Sequence, residues 1–182
     1  MQIITGKYRG RKLLSLETEK TRPTLARVKE SLFSMVDEYI SDKVVLDLFA
    51  GSGALGIEAL SRNAKKVYFV DSNPDAKKVI EINLRNVKED FSVEISDYVL
   101  ALDKYAQTGV KFDIVFLDPP YKSDFGAKAI DLLAKKNLLN DGAIVCLEYE
   151  GVNHLQSFPE CYIILKSKKY GIAGIVILEY RK

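Results

Sequence analysis

From residue 44 onward, short apolar runs take turns with longer mixed stretches, and this alternation predicts the architecture. The runs Val44 to Leu48, Val67 to Asp71, Ser92 to Ile95, Phe112 to Asp118 and Ala143 to Glu148 have the length and apolar character of buried strands. Between them the pattern changes to a helical one, with helices expected to begin near Gly53, Pro74, Tyr98 and Ser123. Alternating strands and helices predict an α/β fold, a mostly parallel sheet with helices on both faces and ligands at the carboxyl edge of the strands. Two last runs, Cys161 to Lys166 and Ile172 to Tyr180, join through Ser167-Lys168-Lys169-Tyr170-Gly171 and read as a closing antiparallel hairpin. Ahead of residue 44 the pattern is different. Ile3 to Thr5 and Arg11 to Leu14 suit a short β-hairpin, and Thr24 is placed to cap a helix with apolar positions at Leu25, Val28, Leu32, Val36 and Tyr39. The expected division is an extension over residues 1–40, packed on a main domain over residues 41–182, with no internal repeat or long linker.

Composition narrows the class. With 47% hydrophobic and 29% charged residues the chain can bury a full core. No stretch approaches the roughly 20 consecutive apolar residues of a membrane span, and Met1-Gln2-Ile3-Ile4 is no signal peptide, so a cytoplasmic protein with no membrane role is expected. Cys146 and Cys161 sit in apolar segments without metal-ligand spacing and are expected to be reduced, with no metal site. Charge is uneven: the first thirty residues hold eight basic against three acidic side chains, a net +5 in a chain of net +2. Lys7, Arg9, Arg11 and Lys12, interleaved with Tyr8 and Gly10, form a cluster suited to gripping nucleic-acid phosphates. Lys166, Lys168, Lys169 and Arg181 are weaker candidates for the same surface.

Two motifs carry the chemistry. Asp118-Pro119-Pro120-Tyr121 follows the fourth apolar run, and two prolines cannot continue a central strand, so the chain must leave the sheet there as a stiff turn. An acid, a fixed carbonyl and an aromatic face then lie together, an arrangement that suits a planar base bearing an amino group. Residues Ala50-Gly51-Ser52-Gly53-Ala54-Leu55-Gly56 link the first strand to its helix; Gly51 and Gly53 permit positive φ and the helix N–H groups point into the same space. The literal G-x-G-x-x-G also fits a dinucleotide fingerprint, with Asp71 at the distance of a ribose-binding acid. A dehydrogenase, however, needs a substrate domain and proton-transfer groups, whereas 182 residues make about one domain and the lone histidine, His154, lies in a polar loop. Asp47, Asp71 and Asp97 instead put three carboxylates at the ends of consecutive strands, which suits S-adenosylmethionine. Asp71 is placed for the ribose hydroxyls, Asp97 for the adenine amino group and Asp47 for the methionine end. Any one of these acids, taken singly, reads equally well as a helix cap or loop charge.

At this point the chain resembles the ribosomal RNA guanine-N2 methyltransferases of the RsmD type. The resemblance rests on Ile3-Ile4-Thr5-Gly6-Lys7-Tyr8-Arg9-Gly10-Arg11-Lys12-Leu13, on Arg22-Pro23-Thr24 with Arg27-Val28-Lys29-Glu30-Ser31-Leu32-Phe33, on Leu46 to Arg62, and on Asp118-Pro119-Pro120-Tyr121. Asn63 departs from the glycine usual in the family, and Asn tolerates the left-handed conformation needed at a helix end. The resemblance implies a Rossmann-like class I methyltransferase with a seven-stranded sheet, plus the amino-terminal hairpin and helix. It implies methyl transfer from S-adenosylmethionine to the exocyclic N2 of a guanine in 16S rRNA, in an assembled or assembling small ribosomal subunit; nothing in the sequence demands more than a monomer. Asp118, Pro119, Pro120 and Tyr121 would be catalytic. Asp47, Phe49, Gly51, Ser52, Gly53, Asp71, Asp97 and Tyr98 would hold the cofactor, with Arg22 and Thr24 at its mouth, unless those two are a surface arginine and a helix cap. Lys7, Arg9, Arg11 and Lys12 would meet the RNA. Other amino-group methyltransferases, such as DNA adenine-N6 enzymes, share the tetrapeptide but usually carry a separate target-recognition domain; a nicotinamide enzyme or an inactive nucleotide-binding module is the more distant alternative. The cofactor is separable by ligand-induced stabilisation: S-adenosylhomocysteine should raise the melting temperature and NAD should leave it unchanged.

Overall fold

The computed structural model describes residues 1–16, 23–120, 123–150 and 158–182, the side chains of 23–25 excepted. A helix α1 (Pro23–Val36) and a short 3-10 turn (Asp37–Tyr39) precede β1 (Val44–Asp47), α2 (Ala54–Ser61), β2 (Lys66–Asp71), α3 (Pro74–Asn83) and β3 (Asp90–Ile95). There follow α4 (Tyr98–Thr108), β4 (Phe112–Leu117), α5 (Phe125–Lys135), β5 (Leu139–Glu150), β6 (Tyr162–Tyr170) and β7 (Ala173–Tyr180). One seven-stranded sheet takes the order β3-β2-β1-β4-β5-β7-β6. The first five strands are parallel to one another and β7 runs antiparallel to both β5 and β6.

The uniformly apolar strands sort their side chains by the two-residue period of a strand. Val45, Val67, Phe69, Ile114, Phe116, Ile144 and Cys146 face one core with α1, α2 and α3, whereas Leu46, Val70, Val115, Leu117, Val145 and Leu147 face the other with α4 and α5. The order of the strands reverses at β1, and the crevice at such a switch point opens above the carboxyl ends of β1 and β4. Both conspicuous motifs begin there.

The amino-terminal segment is built into the first of these cores. Ile3, Leu13 and Leu16 are buried with Val28, Leu32 and Phe33 of α1. The expected hairpin is a single antiparallel bridge, Gln2 with Lys12, supported by the Ile3 N–H donating to the Arg11 carbonyl (2.9 Å) and the Gly10 N–H to the Ile3 carbonyl (2.8 Å). Its remaining polar groups turn to α2 rather than to a partner strand. The Glu58 carboxylate, fully buried, accepts the Ile4 and Thr5 N–H groups, pairs with Lys29 at 2.8 Å and pairs with Arg62. Ser61 receives the Lys7 N–H on its carbonyl (2.9 Å) and the Tyr8 N–H on its hydroxyl (3.0 Å). Gly6 has φ of 87°, and a Cβ there would stand 1.9 Å from the Ser61 carbonyl oxygen, so this approach requires glycine.

Several expected boundaries shift, each for a local reason. Helix α1 begins at Pro23, so Thr24 lies inside the first turn and is not the residue before it; proline favours the first helical position because it has no N–H to satisfy. The polar stretch Ser167 to Tyr170 is paired strand and not loop, since β6 is the sheet edge, where lysine is tolerated. β5 starts at Leu139, and three extra residues around Gly142 (φ 75°) interrupt its register with β4 between Leu139 and Ile144. α5 starts at Phe125. Asn63 does adopt the left-handed conformation after α2, with φ of 66°. Among the described residues no helix is long and apolar enough to cross a membrane.

Burial works to raise the Glu58 pKa, but the Lys29 and Arg62 charges and the Ile4 N–H outweigh it and hold the carboxyl below its ordinary value. Burial lowers the Lys29 pKa, which the Glu58 charge offsets in part. Deleting the acid strands a buried ammonium, so Glu58→Ala should lower the unfolding free energy by about 3–5 kcal/mol, read from urea denaturation.

Candidate active site

The carboxyl edge gathers its residues from five strands. β1 ends at Asp47, which is 1% exposed and accepts the Gly56 N–H at 2.9 Å, bracing the glycine turn from beneath. Gly51 and Gly53 have φ of 53° and 78°, the conformations their positions in the turn demand. A Cβ at Gly56 would stand 2.2 Å from the Phe69 ring, so the third glycine lets α2 lie directly on β2. Asp71, at the end of β2, accepts the Gly51 N–H at 2.7 Å and the Asn73 N–H at 2.8 Å, tying the turn to the next strand. Ser52 is buried and its carbonyl accepts from Asn83 Nδ2 at 2.9 Å. The same Asn83 amide makes two bonds with the Leu14 backbone, so one side chain joins the glycine turn to the amino-terminal segment.

Asp97 caps α4, its carboxylate accepting the Val99 N–H at 2.8 Å, and is exposed. All three strand-end acids thus serve the backbone as well as facing the edge, the double use their sequence positions allowed. Phe49 and Tyr98, expected on this edge, meet at 5.4 Å between ring centroids. Phe125, which the sequence reading passed over, completes the group at 5.3 Å from Tyr98 and 6.4 Å from Phe49, the latter pair nearly parallel. Its signal was a lone aromatic at the start of the helix after the tetrapeptide.

Asp118, Pro119 and Pro120 leave β4 as expected, and the Pro120 carbonyl accepts both the N–H (3.2 Å) and the hydroxyl (2.7 Å) of Ser123, closing the turn. Tyr121, Arg22 and His154 lie outside the described residues, as does the side chain of Thr24. The sequence reading also missed Glu148. Leu117 pairs with Leu147, so one step further along the parallel strands Asp118 stands beside Glu148. Glu148 Oε1 is buried and without a hydrogen-bond partner among the described residues. Burial, and then the Asp118 charge, push the Glu148 carboxyl up to about 8. A glutamate inside an apolar strand was the available clue.

The basic cluster divides. Lys7 pairs with Glu89 at 2.8 Å and Arg11 donates to the Arg85 carbonyl, which fixes both on the protein. Tyr8 donates its hydroxyl to the same Glu89 at 2.5 Å. Burial favours the neutral form of Glu89, but the Lys7 and Tyr8 hydrogen bonds prevail and bring its pKa down to about 2. Arg9 and Lys12 remain exposed and line a groove of 550 Å³ between the amino-terminal segment and α1, with Lys29 and Glu30 on its other wall.

The strand order, with β7 alone reversed, defines the class I methyltransferase fold. The chain belongs to the family whose model is described as Conserved hypothetical protein 95, matched over residues 1–179, the family of the ribosomal RNA small subunit methyltransferase D proteins. It is 41% identical over 176 residues to Ribosomal RNA small subunit methyltransferase D of Haemophilus influenzae, covering 96% of this chain and 91% of that one. The protein of the same name from Escherichia coli K12 is 34% identical over 171 residues, 94% of this chain and 85% of its own. The solved structure of yhhF from Escherichia coli superposes with a TM-score of 0.89 at 34% identity, covering 100% of this chain and 98% of that one.

Glu148 gives a pH signature with a definite sign. An ordinary glutamate ionises near about 4.3 when unfolded, so the folded state holds its proton more tightly and loses relative stability as pH rises from there through about 8. Glu148→Gln cannot ionise; its stability relative to the parent should increase with pH across that window, measured by urea denaturation at several pH values.

Proposed function

We propose that this protein transfers a methyl group from S-adenosylmethionine to the exocyclic N2 of a guanine in 16S rRNA, acting as a monomer on an assembled or assembling small ribosomal subunit. The observation that carries the reading is the Asp118-Pro119-Pro120 turn at the carboxyl end of β4, directly across the switch point from the glycine turn after β1. The names of the relatives support the RNA substrate.

The residues present fit an adenosyl cofactor. Gly51 and Gly53 open the backbone to close approach, the Asp71 carboxylate keeps acceptor capacity for a ribose diol, and Phe49, Tyr98 and Phe125 offer ring faces for an adenine. Asp47, Ser52 and Asp97 complete the lining, with Arg22 and Thr24 assigned to its mouth. The cofactor supplies a sulfonium methyl, an electrophile that needs only a positioned nucleophile.

That nucleophile is poor, because the N2 lone pair is delocalised into the guanine ring. Asp118 and the Pro119 carbonyl are assigned to accept its two hydrogens, which holds the amine in one orientation, and Asp118 to take the proton released on methylation. The rigid Pro119-Pro120 backbone keeps that carbonyl fixed, and Tyr121 is assigned to stack on the base. A base must leave its stack to reach the turn, at a cost of a few kcal/mol that is lowest in a loop. Arg9 and Lys12, together with Lys7 and Arg11, are assigned to the RNA phosphates; such contacts hold the RNA without reading its sequence.

Labelled methyl transfer tests the reading. Small subunits and their deproteinised RNA from cells lacking this protein, and duplex DNA, are offered with S-adenosylmethionine. Label should appear in subunit RNA as N2-methylguanosine, and Asp118→Ala should lower turnover by about 10²–10⁴-fold while changing cofactor affinity far less. Label confined to DNA, or unimpaired turnover in Asp118→Ala, would overturn it.

A further inference from the structure

Two carboxyls occupy one edge. Asp118 follows the last residue of β4 and Glu148 lies two residues before the end of the adjacent parallel strand β5, in a register that pairs Leu117 with Leu147, and neighbouring strands lie about 4.8 Å apart. Strand alternation sends both side chains to the same side: Asp118 keeps the parity of Phe116, and Glu148 that of Cys146, both members of the core beneath α1. Across β5 from Asp118, Glu148 pairs with Ile175 of β7, which is fully buried, so its carboxyl stands on an apolar floor. None of the described residues gives Oε1 a hydrogen bond. A buried polar atom left so costs stability that an apolar residue at this position would not, and a role toward a ligand is one reason such a cost is kept. Among the described residues, this acid is the one beside Asp118 with an oxygen left unsatisfied.

The chemistry of the neighbouring turn says what such a ligand would be. Because the charge of Asp118 and the apolar floor both oppose a second negative charge, Glu148 keeps its proton at neutral pH and presents an O–H donor beside a C=O acceptor. The ring atom next to the N2 amine of guanine is N1, which carries a hydrogen, and O6 follows it. Donor and acceptor there match the acceptor and donor of a neutral carboxyl in a two-bond pairing. In adenine and cytosine the ring nitrogen beside the amine has no hydrogen. A carboxyl can then make one bond, through its O–H, and its C=O is left facing a C–H or another acceptor.

Resting on the methyl-transfer reading above, we propose that Glu148 is the residue that selects guanine, its carboxyl pairing with the N1–H and O6 of the base while Asp118 holds the N2 amine. The turn after β4 thereby recognises an amino group, and the end of β5 recognises which base carries it. Glutamine at position 148 preserves the same donor and acceptor pair; alanine and leucine provide neither.

The test uses 2-aminopurine, which keeps the N2 amine but has neither N1–H nor O6. Once the methylated guanine is mapped, subunits are reconstituted with guanine or 2-aminopurine at that position, and kcat/KM for labelled methyl transfer is measured on both. The parent enzyme should prefer guanine by about 5- to 150-fold, the discrimination of one good two-point contact. Glu148→Gln should keep that ratio, and Glu148→Ala should bring it close to one. Glu148→Leu, which fills the space on the apolar floor, replaces alanine if the smaller side chain impairs folding. A ratio that survives in the alanine or leucine variant, or a parent enzyme that uses both bases equally, overturns the assignment of Glu148 and leaves guanine methylation standing. Label on a different base overturns the methyl-transfer reading, and this assignment with it.

Discussion

The buried Glu58 carboxylate is the constraint on which the amino-terminal half depends. It sits on α2, the helix that the glycine turn launches, and gathers Lys29 from α1, Arg62 from its own helix and two backbone amides from the first residues of the chain. A charge with no exposure is tolerable only when fully partnered, so the three pieces must assemble together or not at all. Asn83 repeats the device from α3, holding the Leu14 backbone with two bonds and the Ser52 carbonyl with a third. The basic amino-terminal segment is consequently not an appendage. It is fastened to the same helix and turn that shape the carboxyl edge, and Arg9 and Lys12 have a defined position relative to that edge.

This arrangement explains how far the sequence could be read. Regular features with local causes were legible: apolar runs of strand length, glycines where positive φ is needed, two prolines that must end a strand, and an asparagine that accepts a left-handed helix end. From them came the parallel sheet, the closing hairpin and the edge on which Asp47, Asp71, Asp97 and Asp118 gather. Features that depend on pairing between distant residues were not legible. Glu58 and Glu148 are single acids inside apolar segments, and nothing local distinguishes a buried, partnered acid from one at a site. Ser167 to Tyr170 read as loop because their polarity is that of a loop; only their place at the sheet edge makes them a strand. Thr24 was taken for a cap because threonine caps helices, while the proline before it already provides a start.

The carboxyl edge shows economy in its use of acids. Asp47 and Asp71 brace the glycine turn, and Asp97 starts a helix, so the residues that would receive a cofactor are also those that fix the loop it would touch. Removing any of them would alter geometry along with chemistry, and a loss of binding in such a variant is not by itself a measure of a direct contact.

The position of β7 has a bearing on how the protein is made. Residues Ala173 to Tyr180 lie inside the sheet, between β5 and β6, although they come after both in the chain. During synthesis, which proceeds from the amino end, β5 must wait with one side open until these residues emerge, and the strand that carries Glu148 is then an unpaired border. The nascent chain can already assemble its amino-terminal half around Glu58 by that stage. Glu148 is therefore already present but gains its neighbour Ile175 only when β7 pairs with β5, so a product truncated before residue 173 would retain both carboxyls and lack the buried surface beside the second.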